Sequence, residues 1–221
     1  MTRMALKIIV SYDDTDNDRD ALALGGLLAS PGAELSLAYV RHSFGESLDQ
    51  RSAEELLARG AESIGAPDMP KYVVISPATS AGLGELVEGE GADVLVFGSE
   101  YRTAKGLVKP GIPAHKLLLG GSSAIAVAPA GLWSQGELAV GTVGVIDEGD
   151  VAACQTAESL ARALGAGVVD YGSGRIDLLV VGSRKEAPDG KVVLSAASDY
   201  AVEAANYPVL VIPRGTVVDF G

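Results

Sequence analysis

The feature that most constrains this chain is an alternation. Short β-branched apolar runs recur along it, and each is followed by apolar residues at helical spacing. Leu6–Ser11 (LKIIVS) is the first run, followed by Ala21, Leu24, Leu27 and Leu28 on one helical face and a stop at Pro31-Gly32. Leu35–Val40 is the second, with Ala53, Leu56, Leu57, Gly60 and Ile64 after it. Tyr72–Ser76 precedes a third stripe at Leu83, Leu86 and Val87, and Asp93–Phe97 and Ala124–Ala128 complete the series. Continuous apolar strands separated by helices of this length are buried on both faces, which makes a parallel sheet built from right-handed βαβ units.

Pro129–Gly136 (PAGLWSQG) collects turn formers and reads as a linker, with Trp133 expected to pack between the parts it joins. The same grammar then restarts with a strand over Glu137–Ile146 and a helical stripe at Ala157, Leu160, Ala161 and Leu164. A strand follows at Gly167–Tyr171. The next strand, Asp177–Val181, follows at once and resembles Asp93–Phe97, so the second half lacks a helix, a strand and a helix. A helix over Val192–Ala205 and a strand over Val209–Ile212 close the chain. The expected organisation is a tandem repeat of doubly wound, Rossmann-like α/β domains: 1–131 complete, 132–136 linker, 137–214 shortened, 215–221 a C-terminal tail.

Composition narrows the function classes. Seventeen basic against 29 acidic side chains give a net charge of −12, the wrong sign for tracking a phosphate backbone or lying on an anionic membrane. One cysteine, Cys154, allows neither an internal disulfide nor a cysteine zinc site, and its apolar neighbours suit a buried small side chain. Leu6–Val10 is too short for a signal sequence or a membrane span, so a cytoplasmic protein is expected.

The informative motif is internal. Gly98-Ser99 and Gly182-Ser183 each end a strand, and 13 residues after each glycine Gly111 and Ser195 open the last helix. A loop running from a strand's carboxyl end to a helix N-terminus is where α/β sheets present N–H groups to phosphates. With this pattern the chain resembles the universal stress protein family, in its tandem form, from Lys7 to Pro129 and again in shortened form from about Leu138 to Arg214. That resemblance implies five-stranded domains that pair through their last strands, here Ala124–Ala128 and Val209–Ile212. It also implies an ATP motif of Gly, two residues, Gly, nine residues, then Gly-Ser or Gly-Thr. Its places fall on Gly98, Tyr101, Gly111 and Ile112, and in the second half on Gly182, Lys185, Ser195 and Ala196. The adenine-contacting Asp matches Asp13 and, in the second half, Asp147; a further adenine-side residue matches Val40.

The departures have physical meaning. Tyr101 puts a ring where backbone should approach phosphate, Ile112 removes a hydroxyl, and Pro113 removes an N–H. Gly98 and Gly182 can equally be strand-ending turn glycines. Asp14–Asp20 fails as an EF-hand, since Arg19 and Gly25 occupy the places of its glycine and glutamate. The Asp13-Asp14 pair is not that of a receiver domain, because the third and fifth strands end in Ser76-Pro77 and Ala128-Pro129. His42 and His115 have no partner at catalytic spacing.

Three readings follow. The first is a non-enzymatic stress-response sensor or interaction module with degraded nucleotide motifs. The second is an adenine-nucleotide switch using Asp13, Val40, Gly98 and Gly111. The third is a nucleotide hydrolase, for which no base or metal set is visible. No metal is expected; ATP or a related nucleotide is the one candidate cofactor. The expected partners are the other half of the chain, a second copy in a homodimer and an unidentified protein, but neither nucleic acid nor membrane.

Overall fold

The computed structural model describes residues 5–30, 32–44, 47–136 and 138–221. Pro31, the expected helix stop, and Glu137, the expected start of the second half, lie outside the described residues, as do residues 1–4. The strands are β1 Lys7–Ser11, β2 Glu34–His42, β3 Lys71–Ser76, β4 Val94–Gly98, β5 Ala124–Ala128, β6 Thr142–Ile146, β7 Gly167–Asp170, β8 Leu178–Val181 and β9 Val209–Val211. The helices are α1 Asp16–Ala29, α2 Gln50–Ser63, α3 Thr79–Glu90, α4 Ile112–Leu118, α5 Val151–Leu164 and α6 Ala196–Glu203. All nine strands form one sheet in the order β3-β2-β1-β4-β5-β9-β8-β6-β7, parallel except at β5–β9. Among the described residues, no helix is long and apolar enough to cross a membrane.

The strands are apolar throughout because helices cover both faces. Alternate residues such as Ile8, Val10, Ala126 and Leu210 face α1, α2 and α5. Ile9, Ile125, Val127 and Val209 face α3, α4 and α6. Local signals set the helix starts. Thr15 and Asp18 form a reciprocal capping box at α1, while Asp49, Asp150 and Ser195 cap α2, α5 and α6.

The antiparallel seam joins the two expected pairing strands. Ile125 stands opposite Val211, Ala126 opposite Leu210 and Val127 opposite Val209. Val108 N–H donates to Ala205 O and Val192 N–H to Gly121 O, each at 2.9 Å. From Ile125 to Val209, Val108 to Val192 and Gly121 to Ala205 the step is 84 residues, so these bonds are exchanged about a local two-fold axis at Ala126 and Leu210. The halves differ in extent. β7 is followed directly by residues 171–177 and β8, with no counterpart of α2, β3 and α3.

Several boundaries differ from expectation for identifiable reasons. The last helix begins at Ala196 rather than Val192, because Val192 N–H is committed to Gly121 O and Val193 N–H to Ser183 Oγ. β6 begins at Thr142, where the Asp177 carboxylate takes the Gly141 and Thr142 N–H groups. Trp133 is not clamped between the halves. It opens a 3-10 turn, stays 41% exposed, and its N–H donates to buried Asp20. Residues 215–221 pack on α5: Val218 and Phe220 are buried, and their N–H groups donate to Thr156 Oγ1 and Ser159 Oγ.

Candidate functional site

The strand order places β1 beside β4, with α1 leaving to one face and α3 reaching β4 from the other. That arrangement is a topological switch point, where open α/β sheets form a ligand crevice at the carboxyl ends of their strands. The positions read from the sequence lie around it. Asp13 follows β1 and is exposed, Val40 lies in β2, Gly98 ends β4, and Gly111 is the N-cap of α4.

Gly98 is required by packing. A Cβ there would stand 2.0 Å from the carbonyl oxygen of Asn17, in the first turn of α1. Asn17 also donates from its carboxamide to Ser99 O at 2.6 Å, so α1 is tied across the end of β4. The crevice between β1 and β4 is thereby spanned by the protein's own groups. Val40 is buried under α3, where its Cγ1 would lie 3.2 Å from a Cβ on Gly82. Gly111 differs: a Cβ there would meet only Pro113 Cδ, at 3.9 Å, and α4 has no side-chain cap.

The loop after β4 closes on itself as a hairpin. Glu100 N–H donates to Lys109 O, Ser99 bridges Pro110, and Lys109 Nζ lies 2.6 Å from Glu100 Oε2. That carboxylate raises the pKa of Lys109. Tyr101 does not plug the phosphate place. Its ring is 66% exposed just beyond the paired base of the hairpin, with the Arg102 guanidinium 5.0 Å over its centre and Arg102 Nε donating to its hydroxyl. Ile112 is 75% exposed.

The same loop is built twice. Ser99 Oγ donates to Ala128 O at 2.7 Å and accepts from Lys109 N–H at 3.1 Å. Ser183 Oγ donates to Ile212 O at 2.8 Å and accepts from Val193 N–H at 3.1 Å. Arg184 and Val193 repeat the Glu100 and Lys109 backbone bond. A Cβ at Gly182 would lie 2.7 Å from Asp147 O, so this glycine too is a close-approach position. Lys185, at the place of Tyr101, is exposed, and its Nζ lies 3.9 Å from a carboxylate oxygen of Glu186.

In the second half, strand register makes Glu148 rather than Asp147 the counterpart of Asp13. Lys7 pairs with Glu34 as Thr142 pairs with Gly167, and four residues separate Ser11 from Asp16 just as four separate Ile146 from Val151. Glu148 adopts a positive φ of 51° and accepts hydrogen bonds from Ser195 Oγ and Ser198 Oγ. Its carboxylate therefore sits at the positive end of α6, the place a ligand anion would take. Ala196 opens that helix without a side-chain hydroxyl.

Sequence motifs missed Asn17, Glu148 and Ser198. Their one sequence signal is a polar residue at a turn that must pass over a glycine-ended strand. The carboxylates near Asp13 carry a second property: burial, then the side-chain hydrogen bond that a protonated Asp18 shares with the Asp13 carboxylate, push Asp18 up to about 7. Burial also raises Asp20, against the opposing N–H bonds from Trp133 and Gly131, and raises the Cys154 thiol. Among the described residues no group of three or more His, Cys, Asp or Glu side chains is placed to hold a metal ion.

No family model matches the sequence, and no curated protein matches it. Solved structures do. The chain superposes on a universal stress protein from Archaeoglobus fulgidus DSM 4304 with a TM-score of 0.70 at 16% identity, over 95% of this chain and 98% of that one. A protein assigned as a universal stress protein in Pseudomonas aeruginosa UCBPP-PA14 gives 0.66 at 12%, over 94% and 93%. A functionally unknown protein from Pseudomonas aeruginosa PAO1 gives 0.66 at 13%, over 95% and 93%. The fold is that of the universal stress proteins.

Proposed function

We propose, with that fold as premise, that this chain is a non-enzymatic interaction module of the cytoplasm, made of two tandem universal stress protein-like domains paired within one molecule. The observation that carries the reading is that the chain's own groups take the anion places of both ligand crevices. Asn17 spans the first, and the Glu148 carboxylate occupies the helix terminus of the second. A polyanionic nucleotide entering either place must displace these bonds against a net charge of −12. The repeated serine bonds and the exchanged seam support the tandem reading, with units at 1–131 and 137–214 and residues 215–221 packed on the second. Linking the pair in one chain makes its association independent of concentration.

One observation favours a second reading, an adenine-nucleotide switch at Asp13, Val40, Gly98 and Gly111. Gly111 is a glycine that packing does not require, at a helix start without a side-chain cap. Titration calorimetry with ATP and Mg²⁺ separates the two. The module reading expects no saturable heat up to about millimolar nucleotide, a dissociation constant worth only about 4 kcal/mol. Micromolar binding that weakens in Asp13→Ala would overturn it in favour of the switch.

A further inference from the structure

The missing α3 counterpart leaves a shaped surface. In the first half α3 lies on β2 and β3 and against α4, with Gly84 of α3 facing Leu117 of α4. In the second half β7 and α6 present the corresponding faces with no helix over them. The residue 84 positions after Leu117 is Ala201, which makes the wall shallower. Between them lies a cavity of about 440 Å³ lined by Asp147, Glu148, Asp170, Tyr171, Ala197 and Ala201, among others. Ile176 packs on the same face of the sheet, across Gly144, where a Cβ would stand 2.5 Å from Ile176 Cδ1.

Shape and charge together specify an occupant. Ala197 and Ala201 are one turn apart on α6, so a second helix can approach closely along that face. The lining holds three carboxylates, Asp147 and Glu148 after β6 and Asp170 at the end of β7, and no Lys or Arg. Glu148 is partly satisfied by Ser195 and Ser198, while among the described residues the Asp147 carboxylate accepts from Gly149 N–H. The first half's own α3 carries Glu85, Glu88 and Glu90, so a helix like it has the wrong charge for this groove.

We propose that the groove docks a cationic helix of a partner protein, seated where α3 sits in the first half, with Lys or Arg side chains reaching Asp147 and Asp170. This deepens the interaction-module reading and rests on it. The partner helix lays small or short apolar residues on Ala197, Ala201 and Tyr171 and turns its basic side chains to the rim. About three turns suffice, since a 12-residue helix spans roughly 18 Å. Electrostatic attraction supplies the on-rate and the salt dependence, and the apolar floor supplies residence.

The test uses a fluorescein-labelled, hydrocarbon-stapled peptide of the α3 sequence carrying Glu85→Lys, Glu88→Lys and Glu90→Lys, titrated with the full chain by anisotropy. The staple removes the cost of helix formation, which a free peptide of this length would bear. The expected result is saturable one-to-one binding, weakened at least about tenfold by Asp147→Lys with Asp170→Lys and by Ala197→Trp, a loss of about 1.4 kcal/mol. Glu54→Lys with Glu55→Lys, on exposed α2, should leave it unchanged, as should calorimetry with ATP. The proposal is overturned if the cationic peptide does not saturate at millimolar protein, or if the α2 variant weakens binding as much as the groove variants do. It is overturned equally if the wild-type chain forms a dimer by sedimentation that Asp170→Lys dissolves, since the occupant would then be a second copy. Failure here with no ATP binding removes the groove alone; micromolar ATP binding removes the module reading first.

Discussion

Substituting Gly98 by alanine separates a glycine kept for a ligand from one kept for packing. Its φ lies outside the left-handed region, so the backbone itself admits alanine. The added Cβ, however, would fall 2.0 Å from Asn17 O and 2.6 Å from Asn17 C, both backbone atoms. A comfortable carbon–oxygen contact needs roughly 3.3 Å, so α1 must retreat by more than about 1 Å from β4. That movement also breaks the Asn17–Ser99 hydrogen bond. Overpacking of this kind costs about 1–3 kcal/mol and the lost bond about another 1, giving roughly 3 kcal/mol in all. At about 2–4 °C per kcal/mol for a chain of this size, Tm should fall by roughly 6–12 °C in the absence of any nucleotide. Gly182→Ala, facing Asp147 O at 2.7 Å, should lie between this and Gly111→Ala, whose nearest neighbour is at 3.9 Å. Thermal and urea unfolding followed by circular dichroism measures all three. If Gly98→Ala melts within about 2 °C of the parent, or Gly111→Ala is the worse of the two, the packing explanation of these glycines is wrong.

Two further outcomes follow from the geometry. Asp18 titrates in the folded protein near 7, above its value in an unfolded chain, so its carboxyl favours folding while protonated and opposes it once ionised. Stability from this group is full below the ordinary carboxylate range and is lost as pH rises through about 7. Asp18→Asn should therefore gain on the parent between pH 5 and 7.5, by at most about 1.4 kcal/mol per pH unit, and a constant Tm difference across that range would refute it. Ser99→Ala and Ser183→Ala remove matching pairs of bonds and should each cost about 1–3 kcal/mol. Unequal losses, or loss in only one variant by denaturant unfolding, would show that the two loops are not equivalent.

The sheet was legible because its physics is local. Runs such as Ile8–Val10 and Val94–Phe97 are apolar at every position, as double-sided burial requires. The two matching loops were legible because Gly-Ser recurs at the same step as the residues that open the last helices. The reason for Gly98 was not, because it depends on where the backbone of Asn17 arrives from 81 positions earlier. Lys185 and Tyr101 stand where the motif has glycine, and that both side chains turn outward could not be read from the sequence. The late starts of β6 and α6 also escaped a reading by periodicity. Each is decided by a side chain, Asp177 or Ser183, that captures an N–H from a distant segment.

The antiparallel seam between β5 and β9 has a consequence for how the molecule meets others. Reversing strand direction there turns the carboxyl ends of β6 and β8 away from those of β1 and β4. The groove beside Asp147 and Asp170 and the loops around Asp13 and Gly111 therefore open on opposite rims of one rigid slab. Whatever engages one rim neither shadows nor competes with whatever engages the other. The nine-stranded sheet therefore has two different faces at its two rims, set back to back with the sheet between them.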